Sequence, residues 1–72
     1  MQRENVVSSS LDSVGYDMDN RVLEIAFRNG TVYHYLNVPQ QTWAQLMRAP
    51  SKGRYFDRAI RERYPFRRVE GG

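Results

Sequence analysis

The sequence predicts an α+β fold, a three-stranded antiparallel β-meander followed by two short α-helices. Three observations carry this. Alternating apolar residues run on both sides of Asn29-Gly30, and Asn-Gly between such runs is the strongest short hairpin signal. Pro39 and Pro50 bracket a stretch whose apolar residues recur at helical spacing. A second stretch of that kind lies between Ser51 and Pro65.

Residues 1–8 are polar and lack a period, so they are expected to form a loose arm. The segment from Ser9 to Tyr16 alternates as a first strand, with Val14 and Tyr16 on one side. Asp17-Met18-Asp19-Asn20 supplies side chains that bond their own backbone, and is expected to turn the chain into strand two. A two-residue turn at Asn29-Gly30 then sets Phe27 opposite Val32, Ala26 opposite Tyr33, Ile25 opposite His34 and Glu24 opposite Tyr35. In that register Leu23, Ile25, Phe27, Val32, His34 and Leu36 share the core face. Ala26, Tyr33 and Tyr35 share the other.

Pro39 cannot donate to a ladder but suits the first helical position. The first helix is expected over Gln40–Ala49, facing inward with Trp43, Leu46 and Met47. Pro50 stops it by pushing Ala49 out of the helical region. Ser51 is a good N-cap for the second helix, whose apolar face is Tyr55, Phe56, Ala59, Ile60 and Tyr64. Pro65 breaks that helix, and residues 66–72 are expected to be a loose tail. Residues 9–65 then form a single domain, and 72 residues leave no room for a second.

The chain has no cysteine, which excludes a disulfide scaffold and any thiolate metal site. Its apolar runs are too short to span a membrane, and the first residues lack the apolar core of a signal peptide. A cytoplasmic location is therefore expected. The net charge of +3 is unevenly spread. Eight of the eleven basic residues lie in 48–68, seven of them arginine, against two acidic residues there. Arginine favours planar, bidentate recognition of phosphate or carboxylate.

Two groups of residues stand out. Arg54, Arg58 and Arg61 recur at i, i+4 and i+7, one stripe on the solvent side of the second helix, backed by Lys52 and Arg48. Spaced guanidinium groups of this kind can follow a phosphate backbone. The plainer alternative is a solvated helix back carrying weak ion pairs. Tyr33 and Tyr35 lie side by side on one strand face, where exposed rings can stack bases. The alternative is a small apolar patch covered by an arm or tail. In the expected register the tyrosines and the arginine stripe lie on opposite sides of the domain. His34 is the only histidine and reads as a packed, hydrogen-bonded residue. No metal, phosphate-loop or nucleophile motif is visible, so neither a cofactor nor an enzyme activity is expected.

These residues together resemble the KTSC domain family, which is found at the C-terminus of some lysyl-tRNA synthetases and as short bacterial and phage proteins. The likeness runs through Ser9-Ser10, Val14-Gly15-Tyr16-Asp17, Leu23-Glu24 with Phe27 and Gly30, Tyr33-His34-Tyr35 and Val38-Pro39. It continues through Ala49, Ser51, Gly53 and Tyr55-Phe56, then Ile60-Arg61 and Tyr64-Pro65. The family positions carried over are Tyr33, Tyr35, Ser51, Gly53 and Arg61. Asp57 departs from the pattern, where many relatives are expected to carry asparagine. The synthetase context implies an RNA partner, tRNA among the candidates. The expectation is a non-enzymatic nucleic-acid-binding module with phosphates on Lys52, Arg54, Arg58 and Arg61, and bases on Tyr33 and Tyr35. The rival is a protein-interaction or self-associating module acting through a sheet edge or the tyrosine face.

Overall fold

The computed structural model describes residues 1–70, with Glu70 as backbone only. It confirms the α+β class and both helices, but the sheet has five strands. These are β1 (Arg3–Asn5), β2 (Leu11–Asp17), β3 (Val22–Phe27), β4 (Val32–Tyr35) and β5 (Phe66–Glu70). They pair antiparallel in chain order, with α1 (Gln40–Arg48) and α2 (Lys52–Ala59) inserted between β4 and β5. The expected meander is therefore the centre of the sheet. Residues assigned to the arm and the tail supply its two edges, and Gly71 and Gly72 lie outside the described residues. The edge that a three-stranded meander would leave open on its third strand, β4, is occupied by β5, which bonds along Tyr35↔Phe66, His34↔Arg67 and Tyr33↔Arg68.

In the β2–β3 register Tyr16 lies opposite Leu23 and Val14 opposite Ile25, which puts Val14 and Tyr16 on the face of Leu23 and Ile25. Asp17 closes that turn by accepting from the backbone N–H groups of Asp19 and Asn20 at 3.0 and 3.2 Å. The β3–β4 register differs by one residue from the expected one. Leu23 faces Tyr35, Ile25 faces Tyr33 and Ala26 faces Val32. The loop has three residues, because Phe27 N–H donates to Thr31 O at 2.8 Å and Gly30 N–H donates back to Phe27 O at 3.0 Å. Only Gly30 takes positive φ, at 94°, while Asn29 accepts through its side chain from Thr31 N–H at 3.0 Å. This is a three-residue hairpin loop in which a glycine follows a tight turn.

A one-residue slip reverses every side chain of the strand. Tyr33 and Tyr35 thus lie on the core face with Leu23, Ile25 and Phe27. Val32 and His34 lie on the opposite face, where the His34 ring bonds Glu24 at 2.8 Å. Arg3 approaches the same carboxylate at 3.7 Å and ties β1 to this face. Gly15 makes room for the N-terminal residues, since a Cβ there would sit 2.7 Å from Gln2 O.

The core lies between one sheet face and the two helices. Leu11, Val14, Leu23, Ile25, Tyr35, Val38, Leu46, Phe56 and Ile60 are buried in it. Pro39 takes the cap position of α1 rather than its first helical one, with φ −69° and ψ 151°. Trp43 of α1 stacks on Tyr16 at 5.3 Å, and the Tyr16 hydroxyl donates to Val38 O at 2.5 Å. Ser51 caps α2 by accepting from Arg54 N–H at 3.4 Å. Among the described residues no helix is long and apolar enough to cross a membrane.

Candidate nucleic-acid interface

The flipped strand changes which residues meet. Tyr33 and Tyr35 were expected opposite the arginine stripe, and the structure brings them to the same side as Arg61. They floor a groove of about 380 Å³ together with Phe27 and Phe56. One rim is the hairpin side, with Ser10, Asn29 and Thr31. The Ser8–Ser10 segment is held there by Arg28, whose N–H donates to Ser10 O at 3.0 Å and whose Nε donates to Ser8 O at 2.8 Å. The other rim is Asp57 and Arg61.

The rings are not equivalent. Tyr35 is 3% exposed and makes a T-shaped contact with Phe56 at 5.4 Å between ring centroids, so it is a core residue and offers no free face. Tyr33 is half-buried, its ring centroid 6.2 Å from that of Tyr35 and 5.7 Å from that of Phe27, the latter in a T-shaped contact. Phe66 stacks against both, with ring centroids 5.5 Å from Tyr33 and from Tyr35. It stands on the edge strand and is 54% exposed, so the outermost ring of this cluster is Phe66. The sequence expectation missed it. Phe66-Arg67-Arg68-Val69 shows no period-two pattern, and only pairing with the reversed β4 reveals which way Phe66 points.

The basic residues also divide. α2 ends at Ala59, and the N–H groups of Ile60 and Arg61 both donate to Phe56 O, at 3.0 and 2.9 Å. Arg61 thereby leaves the helical stripe and turns toward the tyrosines, where it approaches Asp57 at 3.5 Å. Arg54 and Arg58 remain on the exposed back of α2, with the Arg58 guanidinium 5.7 Å from the centre of the Tyr55 ring. Lys52 is half-buried and donates to Ala49 O at 3.1 Å, beside the last turn of α1. There it offsets the negative end of that helix, which leaves it less available to a ligand than the arginines. Along β5, Arg68 lies opposite Tyr33 on the face of Phe66, and Arg67 lies opposite His34 on the other face.

Burial pushes the Tyr35 hydroxyl up from 10.0 to about 12, with Tyr33 and Asp57 adding to the rise and Arg61 opposing it. A phenol whose pKa is higher in the folded state contributes stability that is fully present below pH 10 and is lost as pH rises toward 12. Ultraviolet titration should therefore show a tyrosine ionising well above pH 10, and the unfolding midpoint should fall as pH rises from 10 to 12. Phenolate absorbance that reaches its full value near pH 10 would contradict the burial of this ring.

An edge-mounted aromatic ring and a half-buried tyrosine behind it, with Arg61 at the groove rim, form a compact polar and aromatic surface. It is carried on a rigid sheet and the end of one helix. The chain belongs to the KTSC domain family, whose family model matches residues 7–64. A KTSC domain protein from Yersinia pestis has a crystal structure that superposes with a TM-score of 0.92 at 47% identity, covering 94% of this chain and 96% of that one. An uncharacterized protein of Stutzerimonas stutzeri is 37% identical over 71 residues, 97% of this chain and all of that protein. A lysine–tRNA ligase of Nostoc punctiforme is 33% identical over 61 residues, which is 85% of this chain but 11% of the ligase.

Proposed function

We propose that this protein is a small non-enzymatic module that binds single-stranded RNA. The observation that carries the proposal is the exposed Phe66 ring, stacked on Tyr33, which lines one groove with Arg61. Single-stranded nucleic acid is held by two sequence-tolerant terms, stacking on aromatic side chains and attraction of phosphates to a basic track. Both are within reach of one strand here, because the hairpin register puts the rings and Arg61 on one side. The likeness of this chain to a segment of lysine–tRNA ligases, proteins named for a tRNA substrate, points the same way.

In this reading a base stacks on Phe66, and phosphates run past Arg61 toward Arg58 and Arg54 on the back of α2. Lys52 contributes at the margin, and Tyr33 and Tyr35 support the platform from behind. Engagement of three to five phosphates should give a slope of about −2 to −4 in log affinity against log salt. Fluorescence anisotropy with labelled single-stranded RNA across a salt series measures it. Arg54→Glu combined with Arg58→Glu should weaken binding more than about tenfold at low salt. No binding to tRNA or single-stranded RNA at low salt sinks the proposal, as does affinity that the double reversal leaves unchanged.

A second reading rests on the edge position of β5. Among the described residues no further strand faces its outer backbone groups, and Phe66 and Val69 are 54% and 41% exposed. Such an edge can take an added strand from another chain. Sizing by light scattering separates the two, because a stable dimer that buries Phe66 removes the stacking platform.

A further inference from the structure

The RNA-binding reading leaves the groove behind Phe66 unexplained, since a non-specific strand needs only the outer ring and the arginines. The groove floor is aromatic, built from Phe27, Tyr33, Tyr35 and Phe56, which suits a planar heterocycle rather than a phosphate. Its volume of about 380 Å³ falls in the lower part of the range for small-molecule sites. The charges on the Asp57–Arg61 rim cancel, which again disfavours a bare anion. Their side chains are 63% and 66% exposed at a separation of 3.5 Å. Such an exposed pair adds little to stability and is free to exchange its contact for a ligand.

A carboxylate is acceptor-only and takes two parallel donors, and the guanidinium beside it is donor-only. With Arg61 3.5 Å from Asp57, the rim offers two acceptors beside donors. Among the four RNA bases only guanine carries the complement on its Watson–Crick edge, with the N2 amino group and N1–H as donors beside O6 as acceptor. Adenine and cytosine each offer one amino donor next to ring acceptors, and uracil offers one imide N–H between two carbonyls.

We infer that the groove is a pocket for one splayed-out guanine base of a single-stranded RNA. Asp57 accepts from N1–H and N2–H, Arg61 donates to O6, and the ring lies over the Tyr33 side of the floor. The neighbouring nucleotide stacks on Phe66. The inference rests on the RNA-binding reading and adds base selectivity to it, because recognition of unstacked bases by their Watson–Crick edges is the usual source of sequence preference in single-stranded RNA.

The test uses the full chain and labelled uridine heptamers, either plain or with one central guanosine, inosine, adenosine or cytidine. The guanosine heptamer should bind about tenfold tighter than the plain one, the scale of one good bidentate base contact. Inosine, which lacks the N2 amino group, should lose most of that gain, and adenosine and cytidine should show none. Asp57→Asn turns one acceptor into a donor. It should erase the guanosine preference while raising affinity for the plain heptamer, because a negative charge beside Arg61 is gone. Circular dichroism confirms that this exposed substitution leaves the fold intact. Equal affinity for all five heptamers overturns the guanine pocket and leaves RNA binding standing. A guanosine preference that survives Asp57→Asn also overturns it. Failure to bind any heptamer overturns the RNA-binding reading and the pocket together.

Discussion

Phe56→Ala is expected to destabilise the protein by about 3–5 kcal/mol. For a domain of 72 residues total stability is about 4–11 kcal/mol, so the variant loses a large part of it and a fraction of the chain unfolds at room temperature. The position explains the size of the effect. Phe56 is 4% exposed and is the side chain through which α2 meets the sheet. Its ring makes T-shaped contacts with Phe27 and Tyr35, each with centroids 5.4 Å away. Two edge-to-face contacts are lost with the buried area, and each such contact is worth about 0.5–1.5 kcal/mol beyond burial. The carbonyl of the same residue accepts from Ile60 and Arg61, so the turn that aims Arg61 starts here. Thermal and urea unfolding followed by circular dichroism measure the loss. A midpoint lowered by more than about 10 °C is expected at this chain length. A drop of only one or two degrees would mean that α2 does not close the core.

The residues that fix this core were largely readable in advance. Val14 and Tyr16 beside Leu23 and Ile25, the inward faces of both helices and the Ser51 cap all follow from period and capping chemistry, which act locally. The hairpin register was not readable from Asn29-Gly30 alone. That pair suits a two-residue loop with positive φ at both positions, and equally a three-residue loop with positive φ at the glycine only. Local turn energies do not separate them, so the choice falls to tertiary packing. The expected register would bury His34, a polar ring, against Ile25 and leave two tyrosine rings outside. The observed one buries Tyr35 against Phe56 and lets His34 bond Glu24 on the outer face. Filling the space under α2 with aromatic area while keeping the imidazole bonded decides it.

The two edge strands were unreadable for a different reason. β1 and β5 join the sheet through backbone hydrogen bonds, and Arg3, Glu4 and Asn5 are all exposed. A strand with no buried face leaves no alternation to detect. The candidate site inherits both gaps. Arg54, Arg58 and Arg61 were found by their spacing, but the grouping of Arg61 with the tyrosines depends on the register. Phe66, the outermost ring, depends on an edge strand with no pattern of its own.

Phe66→Ala should separate binding from stability, and under the RNA-binding reading it carries the largest loss of affinity from a single substitution. Alanine replacement of a base-stacking ring costs about 1–3 kcal/mol, which is roughly 5- to 150-fold in affinity. The ring is 54% exposed, so its removal withdraws only part of an aromatic side chain from the packed surface. The stability cost should therefore be well below that of Phe56→Ala, under about 1.5 kcal/mol. The neighbouring rings predict the opposite balance. Tyr35→Ala removes a core residue and should unfold the domain before any effect on RNA is readable. Tyr33→Phe keeps the stack and should leave both quantities near their starting values. Anisotropy titrations on Phe66→Ala should also show an unchanged salt slope, because stacking carries no counterion term whereas the arginines set the slope. If affinity survives the loss of Phe66 and the slope alone is large, the protein holds RNA by charge only. The aromatic cluster is then a support for β5, and the contact surface contracts to α2.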